Sequence, residues 1–385
     1  MYKDRYIILY VLLWELYFLQ GTFGFQGAFS QILLIFLLAV SAFYCYKVNV
    51  SKVKSQGIKA VNILLLLVFV YGLYLIIQGQ DSAAYGRAYY HISRFSYLKV
   101  FLISLLPIYF FYYNTRNKEI SQRTCIFLLF VFLVGYTLSF YTNLYEVTDG
   151  DEEKEITNNV GYYFLSIAPL VYLIKERLLL KTIAIGVISF YIIMSLKRGA
   201  MLVGGICLVL FLYNNFRYSS RRNKFIVCVL SITLLFLMYN YVIDFYNSSD
   251  YFQYRYEQTL EGESSGRDNI YSSMISGFLN QSNIFSILFG NGADATIRLY
   301  GSYAHNDWLE FLTNQGLVGV VIYAIYWSLL YKTWKKTIGN ISLCLGTFIL
   351  IYFTITFFSM SANDYSPCAS LCLGYCLARS NHVWH

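Results

Sequence analysis

Two acids, an amide and a histidine stand together in Tyr303-Ala-His-Asn-Asp-Trp-Leu-Glu310, directly ahead of an apolar run that continues through Gly319. A histidine exchanges a proton near neutral pH, and a nearby carboxylate orients it or acts in its place. His305 with Asp307 and Glu310 is therefore a candidate acid–base group, and Asn306 offers an amide to a polar ligand beside it. The other reading of His305 is a hydrogen-bonded anchor at a membrane interface.

Three further clusters supply cations. In Ser195-Leu-Lys-Arg-Gly-Ala-Met201, Lys197 and Arg198 lie between two apolar runs with almost no loop around them. An ionisable residue at membrane depth costs up to roughly 2.5–3.5 kcal/mol at the midplane and is usually kept for a ligand or pathway. The alternative is a pair of basic side chains snorkelling to headgroups. In Ser264-Ser-Gly-Arg-Asp-Asn-Ile-Tyr271, Ser265 and Asp268 have the spacing of a capping box, which predicts a helix start with Arg267 at its amino end. Free amides and the helix dipole favour an anion there, although a capped helix with Arg267 paired to Glu261 or Glu263 fits equally. Arg87 and Arg94, with His91 between them, serve the same anion or lipid headgroups. Phe289-Gly-Asn-Gly292 reads as a tight turn.

The elements that must hold these groups are set by composition. Of 385 residues 57% are hydrophobic and 13% charged, against about 25% charged in soluble chains. Apolar runs long enough to cross a hydrocarbon core of roughly 30 Å predict an all-α polytopic membrane protein with about twelve transmembrane helices. They centre near Leu12, Phe36, Leu67, Leu105, Phe132, Ala168, Val187, Leu208, Leu234, Tyr323, Leu350 and Leu371. Glu15 interrupts the first run and no small-residue cleavage site follows, so that span is expected to be retained. The expected organisation is one membrane domain: residues 1–246 as spans, 247–304 as a long external loop and 305–385 as the last spans.

Basic residues in short loops place Lys47–Lys59, Arg217–Lys224 and both termini on the cytoplasmic side, and Glu146–Asn159 and Asn247–Ala304 outside. In the long loop Ile270, Met274 and Phe278 form one helical stripe and Tyr271, Ile275 and Leu279 its neighbour, which predicts an amphipathic helix along the membrane or over a cavity. The acids of Glu146–Asn159 suit a divalent cation or a solvated charge run; their spacing is not that of a calcium loop. Cys368, Cys372 and Cys376 share a helix face, as a metal site or as small packing residues. The net charge of +8 is spread over loops beside anionic lipid and does not point to nucleic acid. Three prolines give little support for broken helices, leaving glycine as the residue that could break one.

Taken in order, Ser195-Leu-Lys-Arg-Gly-Ala, Ser265-Gly-Arg-Asp-Asn-Ile-Tyr, Phe289-Gly-Asn-Gly and the His305–Gly319 segment resemble the bacterial O-antigen ligase and Wzy-type O-antigen polymerase family. The resemblance runs from about the seventh predicted span to the tenth. It implies a GT-C-like helical glycosyltransferase in the bacterial inner membrane, with its active site on the periplasmic face and neither cofactor nor metal. Donor and acceptor would be undecaprenyl-pyrophosphate-linked oligosaccharides, among membrane lipids and with a chain-length regulator as a further partner. Arg198 and Arg267 would act on the pyrophosphate, helped by Lys197, Arg87 and Arg94. His305 would take the acceptor proton, with Asn306, Asp307 and Glu310 in the substrate site and Glu310 as a substitute base. Polymerase is preferred to ligase because the chain is short, carries 39 tyrosines and has divergent first spans. A lipid-linked glycan flippase is the reading from another class, but it needs charges along a path through both leaflets.

Overall fold

Inside lipid a backbone must satisfy its own N–H and C=O groups, so long apolar runs fold as helices. The structure, a computed structural model, describes residues 2–23, 27–51, 55–78, 94–142, 145–149, 153–157, 159–175, 177–195, 197–218, 221–248, 250, 253–254, 257, 266–292, 294–359 and 366–380. These form α1 (Tyr2–Thr22), α2 (Ala28–Val50), α3 (Gln56–Gln78), α4 (Arg94–Thr115), α5 (Gln122–Thr142), α6 (Val160–Val171), α7 (Leu178–Met194), α8 (Arg198–Tyr218) and α9 (Arg221–Ser248). The chain continues with α10 (Arg267–Leu279), α11 (Ile284–Phe289), α12 (Ala295–Tyr300), α13 (Asp307–Trp334), α14 (Gly339–Ile355) and α15 (Pro367–Arg379).

Each predicted span centre falls inside one of these helices. Among the described residues six stretches are long and apolar enough to cross a membrane: Ala28–Val50, Gln56–Leu73, Gln122–Thr142, Arg198–Arg217, Lys224–Ser248 and Asp307–Trp334. α6 and α15, of 12 and 13 residues, reach only about 18–20 Å. The acidic stretch after α5 departs from helix: β1 (Tyr145–Asp149) pairs antiparallel with β2 (Glu153–Thr157), bringing Glu146 opposite Ile156 and Thr148 opposite Lys154. Val147, Thr148, Ile156 and Thr157 are β-branched, which suits a strand better than a helix.

The chain divides into two compact units. One takes Met1–Leu37, Lys118–Glu263 and Leu343–Ile351. Its aromatic core includes Trp14, Phe132, Tyr136 and Phe164, and the Phe164 ring stacks on Tyr191 at 4.5 Å. The other takes Leu38–Asn117, Ser264–Ser342 and Tyr352–His385. There α15 starts with Ser366 as its cap and Pro367 in the first turn, where a missing N–H costs nothing. It packs tightly on α4: a Cβ at Gly374 would stand 2.6 Å from the Ile108 carbonyl oxygen, and the Ser370 hydroxyl donates to the Ser104 carbonyl at 3.1 Å. Cys368, Cys372 and Cys376 are buried thiols of this helix, as the packing reading of their spacing expects.

Candidate active site

The second unit is built around a break in α13. Gly316 has φ 65° and ψ −162° inside the helix, a combination open almost only to glycine. The break lies about 14 Å along the axis from Asp307. A straight helix would fill the carbonyls of Thr313, Asn314 and Gln315 from residues 317–319. Here Thr313 accepts from the Asn291 N–H at 3.0 Å, Asn314 from the Gly292 N–H at 3.0 Å, and Gln315 from the Tyr71 hydroxyl at 3.2 Å. The turn predicted at Phe289–Gly292 is thus the partner of a broken helix. Irregular backbone at membrane depth survives only where such donors replace the ladder. The small number of prolines had argued against broken helices, and glycine makes this one.

The start of α13 is tied to the end of α14 by three successive carbonyls. Thr356 accepts from the Asp307 N–H at 2.8 Å, Phe357 from Asn306 Nδ2 at 3.0 Å, and Phe358 from Arg267 Nη1 at 2.8 Å. The last carbonyls of a helix have no partner within it, and cations are favoured at that end. Asn306 also caps α13, its Oδ1 accepting from the N–H groups of Trp308 at 3.0 Å and Leu309 at 3.2 Å. Both ends of this amide are therefore engaged in holding the helix start. Arg267 is the first residue of α10, as predicted, with Gly266 at φ 76° as the residue before it; the capping box expected of Ser265 and Asp268 falls in part outside the described residues. Ser265, Glu261 and Glu263 lie outside the described residues. The bond to Phe358 uses one of five guanidinium donors.

Both acids of the cluster are buried and hydrogen-bonded. Asp307 Oδ2 accepts from the Tyr323 hydroxyl at 2.7 Å. Glu310 accepts from the Ala304 N–H at 2.5 Å, from Thr296 Oγ1 at 2.8 Å and from Asn314 Nδ2 at 3.2 Å. Glu310, 7% exposed, thus ties α12, the 301–306 turn and the broken stretch of α13 into one knot. This is the geometry of a positioning carboxylate.

His305 is half-buried and takes φ 49°, a left-handed conformation uncommon outside glycine. Its carbonyl accepts from the Tyr271 hydroxyl at 3.3 Å. Burial raises the Tyr271 hydroxyl above the ordinary phenol range, and Arg267, one helical turn earlier, pulls it the other way. Arg267, Tyr271, His305, Asn306 and Asp307 therefore come together at the junction of α10, α13 and the end of α14. Beside it, Asp294 is a second left-handed residue, with φ 55°, and is buried. Burial pushes its carboxyl up to about 6, opposed by Arg298. Arg298 Nη2 donates to the Asn291 carbonyl at 2.6 Å, and Gln281 Nε2 to Asn291 Oδ1 at 3.2 Å, so the turn is held from three sides.

Lys197 and Arg198 belong to the first unit. Ser195 sets them at the α7–α8 corner: its hydroxyl donates to the Ile192 carbonyl at 2.6 Å and accepts from the Lys197 N–H at 3.4 Å. The corner fits because Gly161 has no side chain; a Cβ there would lie 2.2 Å from Ser195 Oγ. Both cations are half-buried, with Arg198 opening α8. Arg87 lies outside the described residues, and Arg94 begins α4 with its side chain outside them. Sequence reasoning passed over Tyr71, Asp294, Arg298 and Tyr323. Only Asp294 carried a local signal, an acid two residues beyond the Gly-Asn-Gly turn.

A family model described as O-antigen ligase matches residues 183–324, from within α7 to within α13. No curated protein matches the chain.

Proposed function

We propose that this chain, a member of the O-antigen ligase family through residues 183–324, is a polytopic membrane glycosyltransferase that polymerises lipid-linked oligosaccharide repeat units. The observation that carries this reading is that Lys197, Arg198, Arg267, His305, Asn306, Asp307 and Glu310 all fall within the matched segment. The structure gathers the last five around the start of α13.

In this reading an acceptor sugar hydroxyl attacks the anomeric carbon of a glycan carried on undecaprenyl pyrophosphate. The new carbon–oxygen bond forms as the bond to the pyrophosphate breaks, with inversion at that carbon. The leaving pyrophosphate takes the electron pair, and His305 takes the hydroxyl proton. Arg198 and Arg267 are the residues that the resemblance assigns to the pyrophosphate, where fixed cations stabilise developing charge. Glu310 is better suited to shaping the site than to replacing His305, because its oxygens already accept three hydrogen bonds. The reaction needs no metal, and activity should survive EDTA.

The description of the matching model favours a second reading, transfer of the glycan to lipid A core by a ligase. Both share the donor and differ in acceptor. A gel of surface polysaccharide from a deletion strain separates them. Single-unit material supports the polymerase and unattached polymer the ligase; an unchanged pattern counts against both.

A further inference from the structure

Tyr71 stands on α3, 112 positions before the matched segment begins, and is buried. Its hydroxyl is 2.7 Å from the Phe289 carbonyl oxygen and 3.2 Å from that of Gln315. One carbonyl belongs to the residue entering the Gly290–Gly292 turn and the other to the residue entering the break at Gly316. A single O–H therefore bridges the two backbones where they meet. Tyr71 also borders a cleft of about 600 Å³ whose walls are mostly apolar, among them Ile63, Leu66, Val70 and Val318. Phenylalanine would fill the same ring volume there but leave both carbonyls without this donor.

We propose that Tyr71 is a positioning residue for glycosyl transfer: its hydroxyl sets where the 289–292 turn grips α13, and through that grip where Glu310 and His305 stand. The route is short. Gln315 lies five positions after Glu310 on the same helix, and Asn314, whose carbonyl is gripped by Gly292, donates to Glu310 through its side chain. Glu310 in turn holds the Ala304 N–H, next to His305. Loss of the hydroxyl leaves the reacting groups in place but out of register, which lowers turnover more than binding. The proposal rests on the glycosyltransferase reading above.

The test uses the full chain in lipid nanodiscs with a labelled lipid-linked repeat unit, comparing wild type with Tyr71→Phe. Turnover should fall by about 10- to 100-fold with KM little changed, while amide exchange at Asn291 and Gly292 speeds up. Asn291→Ala removes a side-chain donor that lies 3.4 Å from the Thr313 carbonyl in the same grip, so the double variant should fall short of the product of the single effects. Unchanged turnover in a folded Tyr71→Phe overturns the proposal, as does a loss confined to KM, unaltered exchange at Asn291 and Gly292, or full multiplicativity with Asn291→Ala. A wild-type chain that transfers no glycan sinks the functional reading and this proposal together; an active wild type with an equally active variant sinks the proposal alone.

Discussion

The backbone of Gly290 fills the space that a side chain on Gly316 would need, and a side chain on Gly290 would strike the same helix just before Gly316. A Cβ on Gly316 would stand 2.5 Å from the Gly290 nitrogen, and one on Gly290 would stand 2.4 Å from the Asn314 carbonyl. Their backbones match, with φ 75° and ψ −169° at Gly290 and φ 65° and ψ −162° at Gly316. An alanine at 316 meets both penalties, the dihedral alone costing about 1–3 kcal/mol, and the atoms it strikes are backbone. Gly316→Ala is therefore expected to leave little folded protein by size-exclusion chromatography. Gly205→Ala, in α8 with nothing within 4 Å of its Cβ, should behave as wild type. Equal recovery of folded Gly316→Ala would mean that the turn and the helix do not need this contact.

The helices were legible because a long apolar run in lipid has one economical backbone, and the predicted centres fell inside them. The break was not, because Gln-Gly-Leu-Val-Gly is locally an ordinary apolar helix. Its donors come from Asn291, Gly292 and Tyr71, far away in the chain, and Tyr71 is one of 39 tyrosines. Asn306 shows a different limit. An amide beside a histidine reads as chemistry, whereas the folded chain uses it at both ends to fix the helix start. His305 and Arg267 stood out in separate local motifs, but nothing in either motif showed that Tyr271 would reach the His305 carbonyl or that Arg267 would sit on that of Phe358.

The arginines should be individually indispensable. Arg198→Ala and Arg267→Ala are expected to lower activity by about 100- to 1,000-fold, in line with loss of one donor to a developing oxyanion. Lysine should rescue only in part, because an ammonium lacks the forked geometry that matches phosphate. Arg267→Ala also removes a donor from the end of α14, so proteolysis near Phe358 should accelerate in that variant and not in Arg198→Ala. Wild-type turnover in either alanine variant at normal expression removes that residue from the site.

At His305 function and stability should part company. His305→Ala is expected to lose about 100- to 10,000-fold in turnover while keeping lipid-linked donor bound. His305→Gly should lose the same turnover yet unfold at a higher temperature, since the left-handed backbone costs a side-chain-bearing residue about 1–2 kcal/mol and glycine nothing. Donor retention and melting temperature, measured on the same preparations, check both halves. A glycine variant that melts lower than wild type would show that the histidine ring contributes more to the fold than the strained backbone costs.

Asp294 supplies the pH dependence. Its carboxyl is raised from 3.8 to about 6, so between those values the folded chain holds a proton that the unfolded chain has released. Stability rises with pH only where the unfolded state binds more protons, so the contribution of Asp294 falls as pH climbs from about 4 to about 6 and stays lower above that. At 1.36 kcal/mol per unit the loss approaches about 3 kcal/mol at neutral pH, reduced by whatever solvent reaches the carboxylate. Asp294→Asn keeps the shape and removes the charge, so it should raise the melting temperature at pH 7.5 and leave it nearly unchanged at pH 4. Thermal unfolding of both proteins across that range in one detergent tests the sign directly. A variant that is destabilised at pH 7.5 would mean that the ionised Asp294 gains more from Arg298 than burial takes away, reversing the pH dependence assigned to this site.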